Sequence, residues 1–327
     1  MPASRSELAG TGQASRATQF AASPEKFVES LEIEVLGSGR IWRPSDEAAL
    51  ADDQPQPRSA YVVAASIVTF VDGVPKQQKE DLLNSTLLAQ LAANRQRDRE
   101  KDTLNWYRTY RGVLERLGWR REKRLPDRRP VGAAGPAIVL RAAAAPMVRL
   151  RPASLTPSPH RARPVLPEPP DIAPNLPELR LNRVAAEGPR FTASAAIVDA
   201  LRRSVNQDAL VATQTALDVL RGLGDRDRRV VIFESSSHSS QRGNFQIVSV
   251  SCGQELFLRM TLVVTFFTTG ESVPRALSFS FSRSGTEMFQ ISDDLVLSPL
   301  EYAKVRASVI QQLGDQASAY IDELYAG

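Results

Sequence analysis

Gln254–Thr268 reads QELFLRMTLVVTFFT, and within it Leu256, Leu258, Met260, Leu262, Val264 and Phe266 fall on every second residue. Period two puts these side chains on one face of an extended chain, so the stretch predicts a β-strand with that face in the core. Leu277, Phe279 and Phe281 repeat the pattern with Ser278, Ser280 and Ser282 between them. Gly253, Gly270 and Gly285 punctuate the region. Asn244–Cys252, Gln254–Thr268 and Ala276–Arg283 therefore read as a meander, antiparallel because short turns leave no room for a crossover. Val230–Phe233 opens this sheet, Glu234–Gly243 is a serine-rich loop, and Met288–Ile291 makes a short last strand.

Outward from the meander the periodicity changes. Ser298-Pro299-Leu300-Glu301 starts a helix, with a hydroxyl cap, proline at the first helical position and an acid three residues after the cap. Its stripe Tyr302, Val305, Val309, Leu313, Tyr320, Leu324 suits one side of the sheet, and Gly314-Asp315 bends or restarts it. Thr192 and Asn206 are capping residues for two helices carrying Ile197, Leu201 and Val205, then Leu210, Leu217 and Leu220. Near the N-terminus, Phe27–Leu36 alternates like a strand and ends at Gly37-Ser38-Gly39, where Trp42 and Pro44 exclude a dinucleotide loop. Tyr61–Val71 is a β-branched, buried strand. Lys76–Arg97 and Asp102–Leu117 form a helical hairpin, the second helix bearing the stripe Trp106, Tyr110, Val113, Leu117 and stopping at Gly118. The class is α+β, an antiparallel meander covered by helices, here placed on one side of the sheet.

Thirteen of the 22 prolines lie between Pro126 and Pro177, a segment that forms neither helix interior nor central strand. The chain divides accordingly into a tail (1–25), an N-terminal region (26–120), a linker (121–190) and a C-terminal α+β domain (191–327). Whether the parts flanking the linker share one sheet or stand apart is open at this point. Arg120 to Arg163 holds eleven Arg or Lys against Glu122 and Asp127, so a chain of formal charge +4 carries +9 there and −5 elsewhere. The basic character belongs to the linker rather than to a folded face. The lone Cys252 excludes an internal disulfide and suits a reducing, cytoplasmic setting, and no apolar run reaches the length of a membrane span.

Leu82–Asn94, followed by Asp98-Arg99-Glu100, Trp106-Tyr107, Tyr110, Val113-Leu114 and Gly118-Trp119, resembles a pattern in bacterial proteins of unknown function. The closing stretch Ala303–Leu324, with Leu313-Gly314-Asp315 in its middle, is similar to the C-terminal end of the same proteins. That resemblance covers about a third of the chain and implies a shared fold without an activity.

Residues able to carry chemistry are few. His238 follows Glu234 and three serines, and a hydrolase or toxin-like effector would join it to Glu234 and to Asp293 or Asp294. Cys252 has no basic neighbour in sequence, and Ser292-Asp293-Asp294 has too few oxygen ligands for a calcium loop. No cofactor or metal motif occurs. Tyr107 and Arg111 fall off the apolar stripe of their helix and are assigned to a partner, together with Arg120, Arg121, Arg124, Arg128 and Arg129. The leading expectation is a non-enzymatic interaction or assembly protein, self-associating as a homo-oligomer or docking on a larger complex. The second is nonspecific nucleic-acid binding through the basic linker.

Overall fold

The computed structural model describes residues 23–35, 58–122, 182–184, 188–253 and 257–326. In chain order the elements are α1 (Pro24–Glu29), β1 (Ser59–Val63), β2 (Ser66–Phe70), α2 (Lys76–Gln96), α3 (Thr103–Arg116), β3 (Trp119–Arg121) and β4 (Asn182–Arg183). They continue with β5 (Arg190–Thr192), α4 (Ala193–Arg202), α5 (Gln207–Gly222), α6 (Arg228–Ser237), β6 (Arg242–Cys252), β7 (Leu258–Thr269) and β8 (Ser280–Ser282). The last are β9 (Thr286–Leu297), α7 (Pro299–Ala303), α8 (Arg306–Leu313), α9 (Gln316–Tyr320) and β10 (Ile321–Ala326).

The fold is α+β, built on one mixed and mostly antiparallel sheet of order β10-β1-β2-β6-β7-β9-β3, with β4 also on β9. Strands from before and after the proline-rich stretch thus belong to a single sheet. They join at β1–β10, at β3–β9 and at β2–β6, the last the one parallel pairing among the described residues, with Ile67 opposite Ile247 and Val68 opposite Val248. Leu258, Met260, Leu262, Val264 and Phe266 all face one core, as their spacing predicts, where they meet α2 and α3. Val263 and Phe267 face a second core with Phe245 and Ile247 under α4, α5 and α6. Helices therefore cover both faces, not one, because β7 is apolar on its second face as well.

Several expectations are corrected. Of Phe27–Leu36, residues 27–35 are described and form no strand, and Leu36 lies outside the described residues. Ser23 caps α1, Pro24 takes the first turn, and Phe27 and Val28 are buried. Tyr61–Val71 is two strands, folded at Ala64, whose φ of 46° is left-handed. No glycine or proline announces that turn. Gln90 of α2 holds it instead, accepting from the Ala65 N–H (3.1 Å) and donating to Val63 O (3.0 Å) and Ser66 Oγ (3.1 Å).

Val230–Phe233 belongs to α6, whose cap Asp227 accepts from the Arg229 N–H, and a four-residue apolar run does not by itself separate helix from strand. Of Ala276–Arg283 only Ser280–Ser282 is strand, and it pairs with β5 in a separate two-stranded sheet. Met288–Ile291 lengthens into the twelve-residue β9, which runs through Asp293 and Asp294. The C-terminal helix is three short helices, broken at Lys304-Val305 and at Gly314 (φ 49°), and Leu324 lies on β10. No helix among the described residues is long and apolar enough to cross a membrane.

Candidate functional site

Tyr107 and Arg111, expected to face a partner, are buried at the junction of α3, β3 and β9, with 0% and 2% exposure. Being four residues apart on a helix, they share a face, and that face lies on Asp293 of β9. The Tyr107 hydroxyl donates to Asp293 Oδ2, Arg111 Nη1 lies 3.4 Å from the same oxygen, and Arg121 Nη2 lies 3.0 Å from Oδ1. Arg111 also donates to Glu115 through Nε (3.0 Å) and Nη2 (2.8 Å). Burial, then the Asp293 charge, hold the Tyr107 phenol well above its ordinary pKa, so it remains a proton donor. This is an internal ion network that ties α3 to strands β9 and β3 at one edge of the sheet. Arg120 is exposed on β3; Arg124, Arg128 and Arg129 lie outside the described residues.

On the other face of the sheet an open cleft of about 750 Å³ separates α6 from the segment leading into β8. Val231, Glu234 and Ser235 form the α6 wall, Pro274, Arg275, Phe279 and Ser280 the facing wall, and Arg190 of β5 also lines it. Val231 is 49% exposed, high for a large apolar side chain in this fold. The facing wall is held by α6 itself. Glu234 Oε2 accepts from the Ala276 N–H (3.0 Å), and His238 Nε2 meets Val273 O at 3.0 Å. Arg275 donates to Leu223 O (3.2 Å) and Leu220 O (2.9 Å), which terminates α5.

A carbonyl accepts only, so His238 Nε2 carries hydrogen, and Nδ1 of the neutral ring accepts from Ser237 Oγ at 3.1 Å. An acyl-transfer triad needs a serine on the unprotonated nitrogen and an acid on the other; here the Val273 carbonyl takes the N–H nitrogen and the acid lies on the serine's side. Glu234 Oε2 does lie 3.3 Å from Nδ1, so this carboxylate and His238 are neighbours. Burial lowers the His238 pKa and raises that of Glu234, disfavouring the charged form of each. Asp293 does not join them. It points into the α3 face, whereas His238 packs near Phe267 in the opposite core.

Asp294 accepts from Thr261 Oγ1 (2.8 Å). No group of three or more His, Cys, Asp or Glu side chains able to hold a metal occurs among the described residues. Cys252 is half-buried at the end of β6, 3.9 Å from Gln78 Oε1, and burial pushes its thiol up. The cleft was not foreseen. Arg190 and Arg275 are far apart in sequence, and Val231 was assigned to a strand. The one available signal was the i, i+4 pair Glu234 and His238, which becomes a pair only on a helix.

A scan against protein-family models, a search of curated proteins and a search of solved structures each find no match to this chain.

Proposed function

We propose that this chain is a non-enzymatic interaction protein that associates with copies of itself, or docks on a larger assembly, through its basic, proline-rich stretch. One observation carries the reading: both flanks of that stretch lie on the outer edge of a single strand. The Glu122 N–H donates to Asp294 O, and Asn182 pairs with Gln290, four residues back along β9 or about 13 Å at strand rise. The stretch is thus an insertion carried by one sheet edge. Residues 123–181 hold ten Arg or Lys against four Asp or Glu, +6 against −2 for the rest of the chain, so one copy's insertion attracts another copy's body.

The test is size-exclusion chromatography with light scattering at about 50 and 500 mM salt, on the full chain and on a form with residues 123–181 replaced by a short Gly-Ser linker. The full chain is expected to assemble at low salt and to fall to monomer at high salt, since ions screen exposed charges. The deletion form is expected to be monomeric at both. A full chain that stays monomeric throughout removes self-association. A second reading, nonspecific nucleic-acid binding, draws on the same charge. It predicts that single-stranded oligonucleotide binding falls steeply with salt and vanishes on deletion, and unchanged binding by the deletion form disposes of it.

A further inference from the structure

Among the described residues the sheet β5-β8 has two strands, and a two-stranded pair on its own is marginal and has open edges. The register identifies which groups are open. Arg283 N donates to Pro189 O (3.0 Å), and pairs alternate, so Phe281 and Phe191 form the next hydrogen-bonded pair. The N–H and C=O of Ser280 and Ser282 therefore point away from β5; Ser282 O accepts from the Gly285 N–H (3.3 Å) and Ser280 O from Arg190 Nη1 (3.1 Å), so the two N–H groups are the ones left for an incoming strand. Ser280 also lines the cleft, with α6 as the opposite wall. A groove between a helix and an open strand edge is the geometry in which an extended chain adds as a further strand.

We propose that this cleft receives an extended, acidic segment of a partner protein, which pairs with the open edge of β8 as a third strand. Its apolar side chains would rest on Val231, Phe279 and Pro274. Arg190 accounts for the acidic preference. Its Nη1 donates to Ser280 O (3.1 Å), marking the open edge, and no carboxylate among the described residues lies within ion-pair distance of its guanidinium. Arg275 does not share this role, because it already lies 3.5 Å from Asp225 and 3.9 Å from Glu234. A carboxylate on the incoming strand would meet Arg190 in a charge-assisted pair.

The experiment pans a phage-displayed library of random octapeptides on the full chain and measures selected peptides by fluorescence anisotropy. The expected peptides alternate apolar residues and carry an acid. Their affinity drops at least tenfold with Arg190→Glu, with Val231→Asp, and when alternate peptide amides are N-methylated, while circular dichroism shows both variants folded. No enrichment, or binding indifferent to both substitutions and to N-methylation, overturns the proposal. Binding seen only after residues 123–181 are removed identifies the chain itself as occupant. Binding that weakens as protein concentration rises identifies a second copy. Either result rejects the external partner. None of these outcomes depends on the insertion assembling, so this proposal and the preceding one fail separately.

Discussion

Asp293 shows how much one side chain decides. It is 2% exposed and carries Tyr107, Arg111 and Arg121 on its two oxygens. Removing one partner of a buried ion network strands the others without water, which costs about 3–5 kcal/mol. Asp293→Ala is expected to lower stability by roughly that amount in urea unfolding, and Tyr107→Phe by only about 1 kcal/mol. A loss below 1 kcal/mol for Asp293→Ala would show the network to be solvated. His238 gives a pH test. Its folded pKa is lowered, so the unfolded chain takes up the proton first, and stability present above about pH 6.5 is lost as pH falls towards the folded value. Glu234, raised on folding, acts oppositely: its contribution is whole below about pH 4.5 and is lost as pH rises through its folded value. The fall in Tm between about pH 7.5 and 5.5 should therefore be smaller in His238→Gln than in the parent. Equal falls would remove His238 as the source.

At the scale of elements, sequence patterns were legible where one period governs a whole segment. β7 keeps an apolar side chain at every second position from Leu258 to Phe266, and α2 and α3 form as their stripes predict. Thr192 and Asn206 cap α4 and α5, accepting from the N–H groups of Ala195 and Ala209. What was not legible was a break supplied from elsewhere. The β1–β2 turn depends on Gln90, which continues through Ser66 to Gln246 and Asn244 in a buried chain of hydrogen bonds. Gln90→Ala orphans the buried Ala65 N–H, worth about 1–3 kcal/mol, and takes a donor from Val63 O and Ser66 Oγ. A loss of about 3 kcal/mol in denaturant unfolding is expected. A change near zero would mean that the turn holds itself. Adjacent acids argue for a turn after Ile291, and the arginines across from Asp293 are what make that position tolerable in β9.

At the scale of the molecule, one sheet is shared by the segments on either side of the insertion, and β9 takes both of the insertion's ends. Deleting residues 123–181 is accordingly expected to leave Tm within a few degrees of the parent by circular dichroism, and unfolding of the deletion form would show that the insertion also supports the sheet. The amino-acid sequence by itself determined the α+β class, the strand at residue 258 and beyond, and the helical hairpin. Each of these follows from side-chain period, capping or composition within a continuous stretch. Only the tertiary structure decided the parallel β2–β6 junction, the second helical layer, the burial of Tyr107 and Arg111, and the cleft between α6 and β8. Those features arise where residues distant in sequence meet, and whether a polar side chain faces water or a buried partner depends on what the rest of the chain packs against it.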